Sequence, residues 1–150
     1  MLGNLRMRLF HAWFRLTRPM TLGVRALVFD ADGRVLLVKH SYVPGWYLPG
    51  GGVERGEPAV RSLGRELREE GGVDPLSVRV VGVYSNHRSF RNDHVILYHV
   101  DAWREVNAQD GTEILERGFF FPDDLPEGTT KATRARLSDF NADAPPPLYW

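Results

Sequence analysis

Apolar positions in the first seventeen residues recur at helical spacing. Leu2, Leu5, Leu9, Trp13 and Leu16 share one stripe, widened by Phe10 and Phe14, while Asn4, Arg8, His11, Arg15 and Arg18 lie along the other side. The spacing predicts an amphipathic helix over residues 2–17, stopped by Pro19. From Leu22 the pattern changes to that of strands. Residues 24–29 and 35–38 are short apolar runs on either side of Asp30-Ala31-Asp32-Gly33, which reads as a hairpin. A loop over residues 41–46 leads through Tyr47-Leu48-Pro49 into a run of glycines. A second helical pattern begins at Pro58 and ends at Gly71-Gly72, with Val60, Leu63 and Leu67 as its expected buried stripe. Residues 78–84 and 94–103 read as strands joined by a polar loop, residues 117–121 as a short strand, and residues 131–140 as a closing helix before a Pro-rich tail. Strands and helices mixed in this way predict an α/β fold, a sheet covered by helices.

Composition narrows the reading. One hundred and fifty residues suit one domain, divided here into a helix over residues 1–18 and a domain over residues 19–150. The formal net charge of zero argues against a general polyanion binder, so no nucleic-acid partner is expected. With no cysteine there is neither a disulfide framework nor a thiolate metal site, which suits a reducing, cytoplasmic location. Charge is nevertheless uneven. Residues 1–25 hold five arginines and no acid, whereas residues 101–150 hold ten acids against five bases. The apolar stripe of the first helix needs a partner. Docking on the domain or across a homodimer is the favoured reading, ahead of contact with an anionic membrane and ahead of a presequence.

The chemistry is concentrated in residues 51–73, G-G-V-E-R-G-E-P-A-V-R-S-L-G-R-E-L-R-E-E-G-G-V. At about 100° per residue, Glu66, Glu69 and Glu70 fall in one sector of a helix. They repel one another there and oppose the macrodipole at the helix C-terminus. A hard divalent cation reverses the sign of that cost, since it takes carboxylate oxygens as ligands.

This stretch resembles the signature box of the Nudix (MutT-like) hydrolases at Gly51, Glu57, Arg65, Glu66, Leu67, Glu69, Glu70, Gly72 and Val73. The resemblance implies a mixed β-sheet sandwiched between α-helices, to which this chain adds the N-terminal helix. It also implies an Mg²⁺- or Mn²⁺-dependent hydrolase that cleaves a pyrophosphate linkage in a small-molecule nucleotide. The metal would be held by Glu66, Glu69, Glu70 and, by resemblance, the backbone carbonyl of Gly50. Glu70 and Glu66 are the leading candidates to deprotonate water. Some family members use an acid on a later loop instead, for which Glu113 comes first, with Asp110 and Glu116 behind it. Arg65 is expected to orient a box carboxylate through a bidentate pair, and Glu57 to support it from beside the helix N-terminus. For the substrate, His87, Arg88 and Arg91 could meet phosphate or base, and Trp46, with Tyr47, could stack on a base. The leading substrate class is a nucleoside diphosphate linked to another moiety, nucleoside triphosphates included. A dimeric ADP-ribose or nucleotide-sugar pyrophosphatase is the second reading; it is weakened because residues 89–91 lack the Pro or Tyr that marks some subfamilies. A non-catalytic sensor or scaffold is the third.

Overall fold

A computed structural model of the chain describes residues 2–108 and 113–150, with side chains of the first helix described from Met7 onward. Strand β1 (Thr21–Val28) organises the domain, and its pairing shows why. It runs parallel to β6 (Asp93–Glu105) from Thr21 opposite Asp93 to Val28 opposite Val100, and its other edge pairs antiparallel with β4 (Gly50–Gly52). With β5 (Val73–Ser85) beyond β6, the first sheet has the order β4-β1-β6-β5. The second is antiparallel, β3 (Trp46–Tyr47), β2 (Val35–His40) and β7 (Ile114–Phe120) in the order β3-β2-β7. The expected hairpin between residues 24–29 and 35–38 is corrected here. β1 and β2 share one bridge, Phe29 with Val35, and then part into different sheets, because β4 and β6 already occupy both edges of β1.

Both faces of β1 are buried, which explains its nearly unbroken apolar sequence. Val24, Ala26 and Val28 pack with Leu63 and Leu67 on the side of α2 (Ala59–Glu66). Leu27 faces the other layer, where Leu37, Trp46, Leu48, Leu97 and Leu137 meet; Leu137 comes from α3 (Lys131–Asn141). The sheets are thus sandwiched between helices, as expected, although the strands divide into two sheets. The α2 stripe is rotated from its expected position. Leu63 and Leu67 are buried together with Ser62 and Gly64, while Val60 is 48% exposed on the outer flank. α2 passes into a π-helical turn, Leu67–Gly71, closed by Gly72 in the left-handed region at φ 66°.

The tail is ordered against the body. Ser85 N–H donates to the Leu148 carbonyl at 2.8 Å, Trp150 N–H to the Ser85 carbonyl at 3.1 Å, and Arg136 to the Tyr149 carbonyl at 2.8 Å. The Trp150 ring lies edge-on to Tyr84 at 5.4 Å. One end of the outer edge of β5 is thereby covered, as an edge strand requires.

The N-terminal helix α1 (Leu2–Thr17) forms as its periodicity predicts, but its expected docking on the domain does not. Met7, Leu9, Phe10, Trp13 and Leu16 are all more than half exposed. α2 and α3 cover the apolar faces that form the two core clusters, so α1 has no place in either of them. Among the described residues no helix is long and apolar enough to cross a membrane. Because α1 buries little, deleting residues 1–18 should shift the thermal unfolding midpoint by less than about 2 °C. Differential scanning calorimetry of the two chains checks this, and a large fall would mean that α1 is part of the core.

Candidate active site

Two carboxylates are packed against the glycine turn of β4. Glu70, 7% exposed, accepts the Gly50 N–H on Oε2 at 3.2 Å. The Glu66 carboxyl lies against Gly51 so closely that a Cβ there would come within 2.5 Å of it. Gly51 is therefore fixed by a side-chain approach. Gly50 is fixed by its backbone, at φ 145° and pressed on the Val24 carbonyl across the β1–β4 pair. Ser62 Oγ donates to the Gly52 carbonyl at 3.1 Å and ties α2 to the same turn.

Arg65 connects the acids. Its Nε and Nη2 make the bidentate pair with Glu57 at 3.1 and 3.2 Å, and its Nη1 donates to Glu66 Oε1 at 2.7 Å. The bidentate partner is thus Glu57, and the contact to Glu66 is a single charge-assisted bond. Hydrogen bonds from Arg65 hold the Glu57 carboxyl below its ordinary range, and the same bonds make the guanidinium still harder to deprotonate. Glu69 lies further out than the other two, beside Glu66 on the same guanidinium nitrogen. Its side chain is 42% exposed and reaches Arg65 Nη1 at 3.5 Å. It falls in the π-helical turn, whose wider i→i+5 winding departs from the regular 100° spacing that put the three glutamates in one sector. Among the described residues no three acids or histidines stand close enough together to hold a metal ion as they are.

Burial dominates the electrostatics. Desolvation raises the Glu66 carboxyl above its usual range despite Arg65, and it pushes Glu70 up to about 7 despite the Gly50 N–H, with the Glu66 charge adding to the rise. Two desolvated carboxylates side by side, with backbone oxygens beside them, form a hard-oxygen donor set that fits a divalent cation.

Arg25 and His40 belong to the site and were not among the residues singled out from the sequence. Arg25 Nη1 donates to the Leu48 carbonyl at 2.9 Å and to the Gly50 carbonyl at 3.0 Å, fixing the chain that enters the turn. His40 is 4% exposed, and its Nδ1 stands 3.6 Å from Glu70 Oε1. That separation is within ion-pair range but too long for a hydrogen bond, so Nδ1 has no partner. Burial, helped by the Arg25 charge, lowers the His40 pKa and keeps the ring neutral. Tyr42 lies 5.1 Å from the His40 ring, and burial together with the Glu70 charge raises its phenol above the ordinary value. The signal for both missed residues was polarity at inward positions: Arg25 interrupts an apolar strand, and His40 shares the face of Leu36 and Val38.

The remaining candidates disperse. Glu113 is exposed, its carbonyl accepting the Ser41 N–H at 2.8 Å, and its charge is felt at His40, Tyr42 and Glu70. Glu116 is paired with Lys39 at 3.1 Å, and Asp110 lies outside the described residues. His87 Nδ1 accepts the Asn92 N–H at 3.0 Å within its own loop. Arg88 stacks on Tyr149 at 4.0 Å, and Arg91 lines a cleft with Arg15, Arg18 and Arg55. Of the two readings open for Trp46, a base-stacking ring or a core aromatic, the structure has the second: it is 8% exposed, edge-on to Phe120 under Lys39, and is corrected as a substrate-binding candidate. Tyr47 is half-buried, its hydroxyl donating to the Pro44 carbonyl at 2.9 Å.

Known proteins resemble this chain in sequence and fold. The family model described as NUDIX domain matches residues 19–140. A Bacillus subtilis (strain 168) protein named "Putative 8-oxo-dGTP diphosphatase" is 30% identical over 124 residues, covering 83% of this chain and 82% of its own length. The ADP-ribose pyrophosphatase of Methanocaldococcus jannaschii is 34% identical over 106 residues, 67% of this chain and 62% of that protein. The crystal structure of a MutT NUDIX hydrolase from Burkholderia pseudomallei superposes with a TM-score of 0.66 at 30% identity, covering 79% of this chain and 95% of that one. A match over residues 19–140 takes in the glycine turn, the π-turned helix and both central sheets, and with it the chain belongs to the Nudix (MutT-like) hydrolase family.

Proposed function

We propose that this Nudix pyrophosphohydrolase cleaves the diphosphate linkage of a nucleoside diphosphate joined to a further group, with nucleoside triphosphates as the leading class. The observation that carries the reading is the pair of desolvated carboxylates, Glu66 and Glu70, set against Gly50 and Gly51. A fold built only for stability would not bury two acids side by side. The relative named for 8-oxo-dGTP, matched along most of its length, favours the triphosphate class. The M. jannaschii relative keeps an ADP-ribose or nucleotide-sugar substrate as the second reading. A sensor or scaffold without catalysis has no use for the two acids and is the weakest of the three.

Nudix hydrolases generally depend on a divalent metal. In this chain the Gly50 carbonyl, Glu66, Glu69 and Glu70 would hold Mg²⁺ or Mn²⁺, which when bound neutralises phosphate charge and makes hydroxide available near neutral pH. The Gly50 carbonyl has a second lone pair beyond the one Arg25 uses. Arg65 keeps Glu66 and Glu57 fixed while substrate binds, and Arg25 keeps the turn in place. Glu70 is the proposed proton acceptor. Its Oε2 is engaged by Gly50, while its Oε1 makes no hydrogen bond and stands 3.6 Å from His40 Nδ1. Glu66 is the alternative base, and Glu113 the loop alternative to both.

Glu70→Gln preserves shape and removes the charge. Turnover of a metal-loaded nucleotide screen should fall by about 10²-fold or more with the far-UV circular dichroism unchanged. Activity near wild type would remove Glu70 from the mechanism. Metal binds the native state only, so the unfolding midpoint should climb with Mg²⁺ or Mn²⁺ concentration and return with chelator; a flat response speaks against the site.

Without metal, Glu70 also sets a pH dependence. Its native pKa of about 7 exceeds the ordinary 4.5, so between those values the native state holds a proton that the unfolded chain has lost. Stability from this group therefore falls as pH rises from about 4.5 to about 7, by about 3 kcal/mol in total. His40 acts oppositely, costing stability as pH falls below 6.5, because only the unfolded chain gains its proton readily. Subtracting the Glu70→Gln unfolding free energy from that of wild type, at about pH 5 and about pH 8, isolates the Glu70 contribution together with its coupling to His40. The difference should drop with rising pH, and a constant difference would mean an ordinary carboxyl.

A further inference from the structure

We propose that α1 and the arginine cleft beside it form a docking surface for an anionic phospholipid bilayer. The first observation is the exposed apolar face of α1. Leu9, Phe10, Trp13 and Leu16 are 62, 54, 65 and 80% exposed, and Met20, just past the helix, is 62% exposed. Trp and Phe flanked by Leu on one helical face are suited to the boundary between headgroups and acyl chains.

The second observation is the charge that accompanies this face. Arg15 and Arg18 leave the polar side of α1 and meet Arg55 and Arg91 around a cleft of about 750 Å³, completed by Pro19, Met20, Thr21 and Asn92. No acid lines it, and the acidic excess of the chain lies in residues 101–150, none of which contributes to it. Four guanidinium groups around one opening, beside an exposed apolar stripe, match phosphodiester headgroups above acyl chains. Arginine serves this role well, because its stem lies along apolar surface while its planar fork binds phosphate oxygens.

Charge also selects the occupant. A second copy of α1 would bring Arg6, Arg8 and Arg15, with Arg18 just past its end, and no acid against the same four arginines. The domain's own exposed apolar side chains, among them Leu76, Val80, Val83 and Phe90, leave the α1 stripe uncovered, since Leu9, Phe10, Trp13 and Leu16 stay more than half exposed. An anionic bilayer satisfies the apolar face and the arginines together. The location suits the arginines of the cleft as well: Arg55 follows the glycine turn by three residues, and Thr21 opens the strand that pairs with that turn, so the bound surface would flank the catalytic groove without covering Glu66 or Glu70.

The test is co-sedimentation of the full chain with vesicles of phosphatidylglycerol and phosphatidylcholine, compared with phosphatidylcholine alone. Binding is expected only to the anionic vesicles and should weaken with added salt. Arg15→Gln with Arg18→Gln should lower partitioning by roughly thirtyfold at low salt. Leu9→Glu with Leu16→Glu should abolish it, leaving the melting temperature and nucleotide turnover in solution unchanged. A blue shift of tryptophan emission on vesicle binding should be lost in Trp13→Phe. Four outcomes overturn the proposal: no sedimentation with anionic vesicles, equal binding to neutral ones, displacement by millimolar inorganic phosphate, or a dimer in solution that Leu9→Glu with Leu16→Glu dissolves while vesicles go unbound. The third marks a free-phosphate site and the fourth a second copy as the true occupant.

Discussion

Desolvation of Glu66 and Glu70 is the constraint on which the rest of the site depends. A carboxylate removed from water costs several kcal/mol unless charge or hydrogen bonds replace its hydration. Here the replacements are the Gly50 N–H to Glu70, the Arg65 guanidinium to Glu66, and the field of Arg25. They do not suffice, since both acids remain shifted toward the protonated form. The residual cost is informative because it is local. Glu57, which receives two hydrogen bonds from Arg65 where Glu66 receives one, is shifted the opposite way. Same guanidinium, opposite shift: the bidentate pair outweighs desolvation at Glu57, and the single bond does not at Glu66.

The scaffold accepts that cost because β1 fixes the geometry around it. Its parallel pairing with β6 and its packing against α2 on one face and the α3 layer on the other leave little freedom where Val24 and Arg25 meet Gly51 and Gly50. The Gly50 backbone, held at φ 145° on the Val24 carbonyl, is in a region that favours glycine, so the turn cannot relax away from the carboxylates by substituting its way out. Leu63 and Leu67 seat the opposite wall in the same core. The strain at the turn and the buried charge are thus stabilised by one continuous set of apolar contacts.

Much of this was legible in the sequence because it is periodic or local. Helix positions came from spacing, strand runs from apolar continuity, and the glycine–glutamate box from a pattern fixed within 23 residues. What escaped depended on partners distant along the chain. The hairpin failed because edge occupancy by β4 and β6 cannot be read from residues 24–38. The more exposed placement of Glu69 was not legible because a π-helical turn changes the winding within five residues. His40 and Arg25 escaped since their meaning comes from Glu70 and Gly50, thirty and twenty-five positions away. The docking of α1 failed because an amphipathic stripe states a need for a partner without naming one.

Charge around the turn closes the argument. Glu57, Glu66, Glu69 and Glu70 bring four negative charges when ionised, and Arg65 and Arg25 bring two positive ones, leaving a formal balance of minus two before any diphosphate arrives. Neither arginine is free to serve the substrate alone. Arg65 is engaged by three carboxylates, and Arg25 is committed to the Leu48 and Gly50 carbonyls. An anionic substrate brought to this site without further positive charge would meet net repulsion in a partly desolvated cleft, where Coulombic terms are weakly screened. The shortfall has the magnitude of one divalent cation for the protein alone, and it grows with each phosphate added. The raised pKa of Glu70 comes first from desolvation, and the unbalanced charge of Glu66 adds to it: where no cation offsets the two, the carboxyl takes up a proton instead.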